Sequence, residues 1–140
     1  MEVVNQIAPT PEAASAFFFG DGAADHGPMV MVNLLKFRPH AEYPDGSDPH
    51  LSGADAYLRY CAGVQACLAA VGGRSIYAGP VTGIILGEVA ELWDMVALAE
   101  YPSPAAMIAM VALPEYKAIE HHRLAGLAGQ LNIRTRPFSG

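Results

Sequence analysis

A chain of 140 residues with 52% hydrophobic side chains is long enough to form one domain with a core, hiding roughly 70% of the surface an extended chain exposes. A formal net charge of -6 with no basic stripe excludes a phosphate-backbone partner, so no nucleic acid is expected. Charged residues make up only 16%, too few to cover a monomer comfortably, which points to a buried subunit interface.

No run is long and apolar enough to cross a bilayer. The opening MEVVNQ lacks both a basic n-region and an apolar h-region, so neither a membrane role nor an export signal is expected. Taken in order, the chain starts with an extended stub. Thr10-Pro11-Glu12 then reads as a cap and helix start, opening a short helix through Phe17, Phe18 and Phe19. Three consecutive phenylalanines cannot share one face, so at least one must pack under a neighbouring element or a second subunit. Residues 20–28 read as a turn.

Residues 28–39, PMVMVNLLKFRP, form the first central strand. Alternation puts Met31, Asn33, Leu35 and Phe37 on one face and Val30, Val32, Leu34, Lys36 and Arg38 on the other. Asn33 therefore stands among apolar neighbours and must be hydrogen-bonded, either structurally or as a group that orients a ligand. Lys36 and Arg38 are expected to reach solvent. The polar loop over residues 40–53 has the length of a lid or binding segment, but Asp45, Asp48 and His50 fit no calcium or zinc spacing.

Ser52 and Asp55 resemble a capping box that opens a helix ending at Gly72-Gly73. Tyr57, Cys61, Val64, Leu68 and Val71 recur on its inward stripe, while Arg59 and Tyr60 fall off it. Cys61 and Cys67 point to different faces about two turns apart, too far for a disulfide, and are read as reduced thiols of a cytoplasmic protein. Residues 74–87 read as a strand interrupted at Gly79-Pro80. Residues 92–101, LWDMVALAEY, are bulky on both parities and suit a strand covered on both faces.

Pro102 ends that strand, Ser103 caps a helix and Pro104 takes its first position, so Ser103 is a cap and not a nucleophile. Pro114 breaks the helix, and a second one starts there. Along it Tyr116, Ile119 and Arg123 share a face, placing an arginine beside an aromatic. Glu100 is the expected internal partner for Arg123, with a carboxylate ligand as the alternative. His121 and His122, being adjacent, are expected on different sides of the helix and cannot chelate one metal together. A last strand covers residues 130–136.

The order is an extra helix, then strand, helix, strand, strand, helix, strand. That is the ferredoxin-like split βαβ pattern of the α+β class: a four-stranded antiparallel sheet with its main helices on one face. The other face is apolar as well. A homodimer that packs two sheets face to face would hide it, as in a dimeric α+β barrel.

Several stretches together carry a resemblance: MVNLLKFRP over residues 31–39, AYLRY over 56–60, Gly72-Gly73-Arg74, Trp93, EYPSPAAM over 100–107, and PEY followed by HHR within 114–123. From about Pro28 onward the chain resembles the DUF1330 family. The resemblance implies a dimeric α+β barrel, one domain over residues 1–140, and an N-terminal extension over 1–27 found in only some members. It implies no assigned reaction. The wider superfamily holds cofactor-independent monooxygenases, isomerases and haem proteins, so chemistry does not transfer with the fold.

In such a fold a pocket between sheet and helices would be lined by Asn33, Tyr57, Trp93, Tyr116 and Arg123, with His122 or Tyr116 as acid/base candidates. No Gly-x-Ser-x-Gly elbow, Walker loop or GxGxxG occurs, and neither a metal nor a cofactor is expected. Two functional readings follow. One is a metal-free enzyme or binder for a small anionic or carbonyl-bearing metabolite. The other is a non-catalytic module whose polar groups satisfy one another.

Overall fold

In the computed structural model, residues 2–19 and 27–138 are described. The turn expected over residues 20–28 lies outside them except at its last two positions. The elements are α1 (Pro11–Phe19), β1 (Met29–Phe37), α2 (Gly53–Ala70), β2 (Arg74–Pro80), β3 (Met95–Tyr101), α3 (Pro104–Val111), α4 (Pro114–Gly126) and β4 (Leu127–Thr135). The four strands pair antiparallel in the order β2-β3-β1-β4, the ferredoxin-like arrangement expected from the element order. Within one chain the sheet is open, with β2 and β4 at its edges.

The helix boundaries follow from local chemistry. Ser52 Oγ accepts from the Asp55 N–H at 3.0 Å and Ser103 Oγ from the Ala106 N–H at 3.2 Å, each satisfying an amide of the first turn. Pro104 and Pro114 occupy opening turns, where a missing N–H costs nothing, and Leu113 is the extended residue between α3 and α4. Gly72, at φ +79°, takes the left-handed turn that ends α2.

Several strand limits differ from the expectation. β3 begins at Met95 because Asp94 turns inward: its carboxylate accepts from the Phe37 N–H at 2.8 Å. Lys36 does not run free to solvent. Its ammonium donates to the Leu92 carbonyl at 3.1 Å and pairs with Asp94 at 3.6 Å, fastening residues 92–94 as a turn. Arg38 likewise pairs with Glu42 at 3.0 Å. β2 stops at Pro80, which has no N–H for the ladder, and its bulge lies at Ile76, between Ser75 and Tyr77. β4 follows α4 without a connecting loop, three residues before the expected start at Gln130.

One sheet face carries the core. Met29, Met31 and Leu35 of β1 pack with Tyr57, Tyr60, Val64, Cys67 and Leu68 of α2, Met110 of α3, Tyr116 of α4 and Leu127 of β4. Leu35 and Leu127 are 0% exposed, and burying such a side chain contributes about 1.5–3 kcal/mol. The inward stripe of α2 is broader than its spacing suggested. Tyr60 and Cys67 are buried while Cys61 and Val71 are only half-buried, because α4 flanks α2 and covers the side that carries Tyr60.

Residues of the opposite parity make a second apolar surface. Val32 pairs with Leu98 and Ile133, and Leu34 with Val96 and Leu131, so these side chains share the face turned away from the helices. None belongs to the core cluster, and Ile133 is 46% exposed. Of the three phenylalanines, Phe17 packs against the core and under the Arg134 guanidinium at 4.6 Å, while Phe19 remains 79% exposed.

Candidate functional site

The polar groups that the sequence singles out separate into distinct places. Tyr57, Tyr60 and Tyr116 pack between α2, α4 and the sheet, Tyr57 tilted against Tyr60 and Tyr60 edge to face with Tyr116, and the Tyr60 and Tyr116 hydroxyls hydrogen-bond each other at 3.1 Å. Burial pushes the Tyr57 and Tyr60 hydroxyls far above the usual phenol range, so both stay neutral. Between sheet and helices these rings fill space where a sheet-helix pocket was expected.

Asn33 and Arg123 belong to one hydrogen-bonded chain. Asn33 Nδ2 donates to the Ala97 carbonyl at 3.2 Å, and Asn33 Oδ1 accepts from Gln130 Nε2 at 2.7 Å. Gln130 Oε1 accepts from Arg123 Nη1 at 2.8 Å, and Arg123 Nη2 donates to the Ile7 carbonyl at 2.8 Å. The partner expected for Arg123 is engaged elsewhere, since Glu100 pairs with Arg74 at 3.1 Å across β2 and β3. Arg123 thus ties the N-terminal segment to the sheet. Trp93 is not part of this chain; its indole N–H donates to Asn5 Oδ1 at 2.8 Å.

A different cluster opens to solvent. The loop over residues 40–52 is held through its backbone: Glu42 N–H donates to the Ala125 carbonyl of α4 at 2.9 Å, Ala41 N–H closes the loop on the Leu51 carbonyl at 2.8 Å, and the two ends meet where the Gly53 N–H of α2 donates to the Arg38 carbonyl at 3.1 Å. Ala41, Tyr43, Ala56 and Ala125 bury themselves beneath it as a small second core. Gly126 permits this closeness, since a Cβ there would fall 2.5 Å from the Gly53 carbonyl oxygen. The loop thereby holds Tyr43 over the C-terminal half of α4.

The Tyr43 hydroxyl lies 2.7 Å from His122 Nδ1 and accepts from Arg59 Nη1 at 3.3 Å. Arg59 also pairs with Asp48 at 3.0 Å. A guanidinium can only donate, so the proton of Tyr43 is free to point at His122 whenever that imidazole is neutral, which leaves the other ring N–H of His122 as a donor. Burial, then His121 and then Arg59, hold the His122 pKa below its ordinary 6.5. The two histidines do not diverge as adjacent helix positions suggested: their rings lie 4.0 Å apart, both against Tyr43. An aromatic lid drawn over one end of the helix gathers both.

Tyr43, Pro44, Asp45, Ser47, Arg59, His121 and His122 line a cleft of about 300 Å³. That is at the lower end for small-ligand sites. Ser47 lowers the Asp45 pKa, first through its side chain and then through its N–H, from which Asp45 accepts at 2.9 Å, and Asp48 is held by Arg59. Among the described residues no group of three or more His, Cys, Asp or Glu side chains is placed to hold a metal ion. A second cleft of about 280 Å³ lies at the opening of β3, between Phe37, Ala78, Gly79, Pro80, Asp94 and Met95.

Of this cluster the sequence marks only His122 as an acid/base candidate; it offers Asp45 and Asp48 no metal spacing, leaves Arg59 off the α2 stripe and does not single out Tyr43, although Tyr43 is the sole Phe, Trp or Tyr in the loop over residues 40–53.

Comparison with known proteins adds the family. The chain is 35% identical to the methylated RPA0582 protein over 98% of both chains, with a TM-score of 0.85. A second structure of RPA0582, a protein of unknown function from Rhodopseudomonas palustris, gives 34% identity over 98% of this chain and 100% of that one, with a TM-score of 0.83. This chain belongs to the RPA0582 family. Beyond it the likeness is one of fold. A dimeric ferredoxin-like protein of unknown function from Jannaschia sp. CCS1 is 15% identical over 79% of this chain and all of its own, with a TM-score of 0.54. SnoaB, a cofactor-independent oxygenase from Streptomyces nogalater, is 12% identical over 81% of this chain and 96% of its own, with a TM-score of 0.51. No family model matches the chain, and no curated protein does. Among the described residues no helix is long and apolar enough to cross a membrane.

Proposed function

We propose that this protein binds, and acts on, a small anionic or carbonyl-bearing metabolite in the cleft beneath the loop over residues 40–52. One observation carries the reading: the Tyr43 hydroxyl is held at once by Arg59 and by His122 Nδ1, 3.3 and 2.7 Å away, on the wall of an open cleft. Arg59 supplies positive charge for a carboxylate or a polarised carbonyl oxygen. His122, kept neutral near pH 7, is matched to general acid/base work, with Tyr43 as its proton-bearing neighbour. Asn33, Tyr57, Tyr116 and Arg123, none of which lines that cleft, are assigned the supporting role of holding sheet, helices and N-terminal stub together, and Trp93 that of anchoring the stub.

The alternative, a non-catalytic module with a self-satisfied polar cluster, has support in the Asn33–Gln130–Arg123 chain, whose bonds are internal. The two readings are separated by screening small carboxylates and 2-oxo acids for thermal stabilisation of the wild type, Tyr43→Phe and Arg123→Leu. A ligand of the cleft stabilises the first and third alike and the second clearly less. If every ligand found stabilises Tyr43→Phe as well as the wild type, the cleft is not the site.

The chain is further assigned to the DUF1330 family, as one domain with an N-terminal extension, on the motif set quoted above. It is proposed to act as a homodimer in the cytoplasm. The uncovered apolar sheet face and the description of a fold neighbour as dimeric support the first, and free Cys61 and Cys67 the second. Light scattering should return twice the chain mass; a stable monomer at micromolar concentration contradicts the assembly.

A further inference from the structure

Residues 81–94 link β2 to β3 as an arm closed at its base, where the Val81 N–H donates to the Asp94 carbonyl at 2.9 Å. Beyond that clamp Ile84 is 51% exposed, Ile85 103% and Leu86 88%. Among the described residues nothing covers Ile85 or Leu86, and Ile84 beside them is half covered. Thr82 and Gly83 before them and Gly87 after them carry no charge, and the next charged residue is the exposed Glu88, so the tip offers no basic group to an anionic partner. Without flanking basic residues, and with a net charge of -6, the chain is also poorly suited to an anionic lipid surface.

We infer that this arm is a clasp for a second copy of the chain, its Ile84-Ile85-Leu86 tip packing against the partner subunit while the two open sheet faces meet. The inference rests on the homodimer proposed above and adds the element that makes it stable. Four strands about 4.8 Å apart and about seven residues long present a face of roughly 500 Å². A lasting interface needs about 800 Å² on each partner. As a flat area the sheet face is at the low end of what that requires, and the arm, rising from the ends of β2 and β3, adds the most exposed run of aliphatic side chains among the described residues. In a two-fold contact each copy offers one face and one arm, so a single symmetry operation covers both.

The test uses the full chain with Ile85→Asp and Leu86→Asp together, and as a second variant the tip over residues 83–87 replaced by Gly and Ser at equal length. Side chains this exposed contribute little to the fold of one subunit, so both variants should keep the wild-type circular dichroism. Analytical ultracentrifugation should then show a dimeric wild type and a dissociation constant raised at least about 100-fold in both variants. If the wild type is dimeric and the variants dissociate no more readily, the clasp is refuted while the dimer stands. If the wild type is monomeric, both proposals fail. Loss of wild-type co-sedimentation with anionic phosphatidylserine vesicles in the variants, with the dimer unchanged, would assign the tip to a lipid surface and overturn the clasp.

Discussion

The Asn33–Gln130–Arg123 chain and the Tyr43–Arg59–His122 cluster both set an arginine beside uncharged polar groups, yet they stand in opposite situations. In the first, both ends of the Asn33 amide and of the Gln130 amide are engaged, and the arginine closes on the Ile7 carbonyl. In the second, the bonds converge on one hydroxyl, and the cluster borders a cleft of about 300 Å³. A polar residue on an apolar stripe is therefore a poor marker of a site by itself. What distinguishes a site is hydrogen-bonding capacity left over next to open space, and that is a property of the packing.

The strongest test removes the support the two constellations share. Gly126→Val would drive a side chain against the Gly53 carbonyl and the Tyr57 N–H, backbone atoms that cannot yield, and should cost about 3 kcal/mol. Urea denaturation should show the loss, and ligand binding should fail with it because α4 no longer sits under the loop. Arg123→Leu comes next. It strands the Gln130 and Ile7 oxygens and should cost about 1–3 kcal/mol by the same measurement, with binding at the cleft unchanged.

Tyr43→Phe should invert that pattern. Its stability cost should stay near 1 kcal/mol, while calorimetry should show about tenfold weaker binding of any ligand found for the cleft. Should Arg123→Leu instead lower affinity and Tyr43→Phe leave it alone, the assignment of the two clusters would be reversed.

The smallest effect expected is on pH dependence. His122 in the folded chain protonates below its ordinary 6.5, so the unfolded chain takes up the proton first as pH falls. Its contribution to stability is therefore fully present above about pH 6.5 and declines as pH drops toward the folded value. His121 and Arg59 face it, and both disfavour the protonated ring. Melting temperatures of the wild type and His122→Asn across pH 5 to 8 should converge toward the acid end. Parallel curves would mean that this imidazole is not held neutral by its surroundings.

The element order, the ferredoxin-like topology it implies and most helix boundaries could be read from residues close together in the chain. Ser52 and Ser103 cap the turns that follow them, Pro104 and Pro114 open helices, and Gly72 stops one. Strand alternation likewise separated Leu35 from Leu34. Each depends on dihedral limits or capping bonds spanning four residues or fewer, so no knowledge of the rest of the chain is needed.

Which polar groups meet was another matter. Tyr43 finds His122 across 79 residues, Asn33 finds Gln130 across 97 and Arg123 reaches back 116 to Ile7. Composition and spacing hold nothing about such meetings. They follow from the close approach of α2 and α4 and from the N-terminal stub lying beside β4, arrangements that exist only once the whole chain has packed.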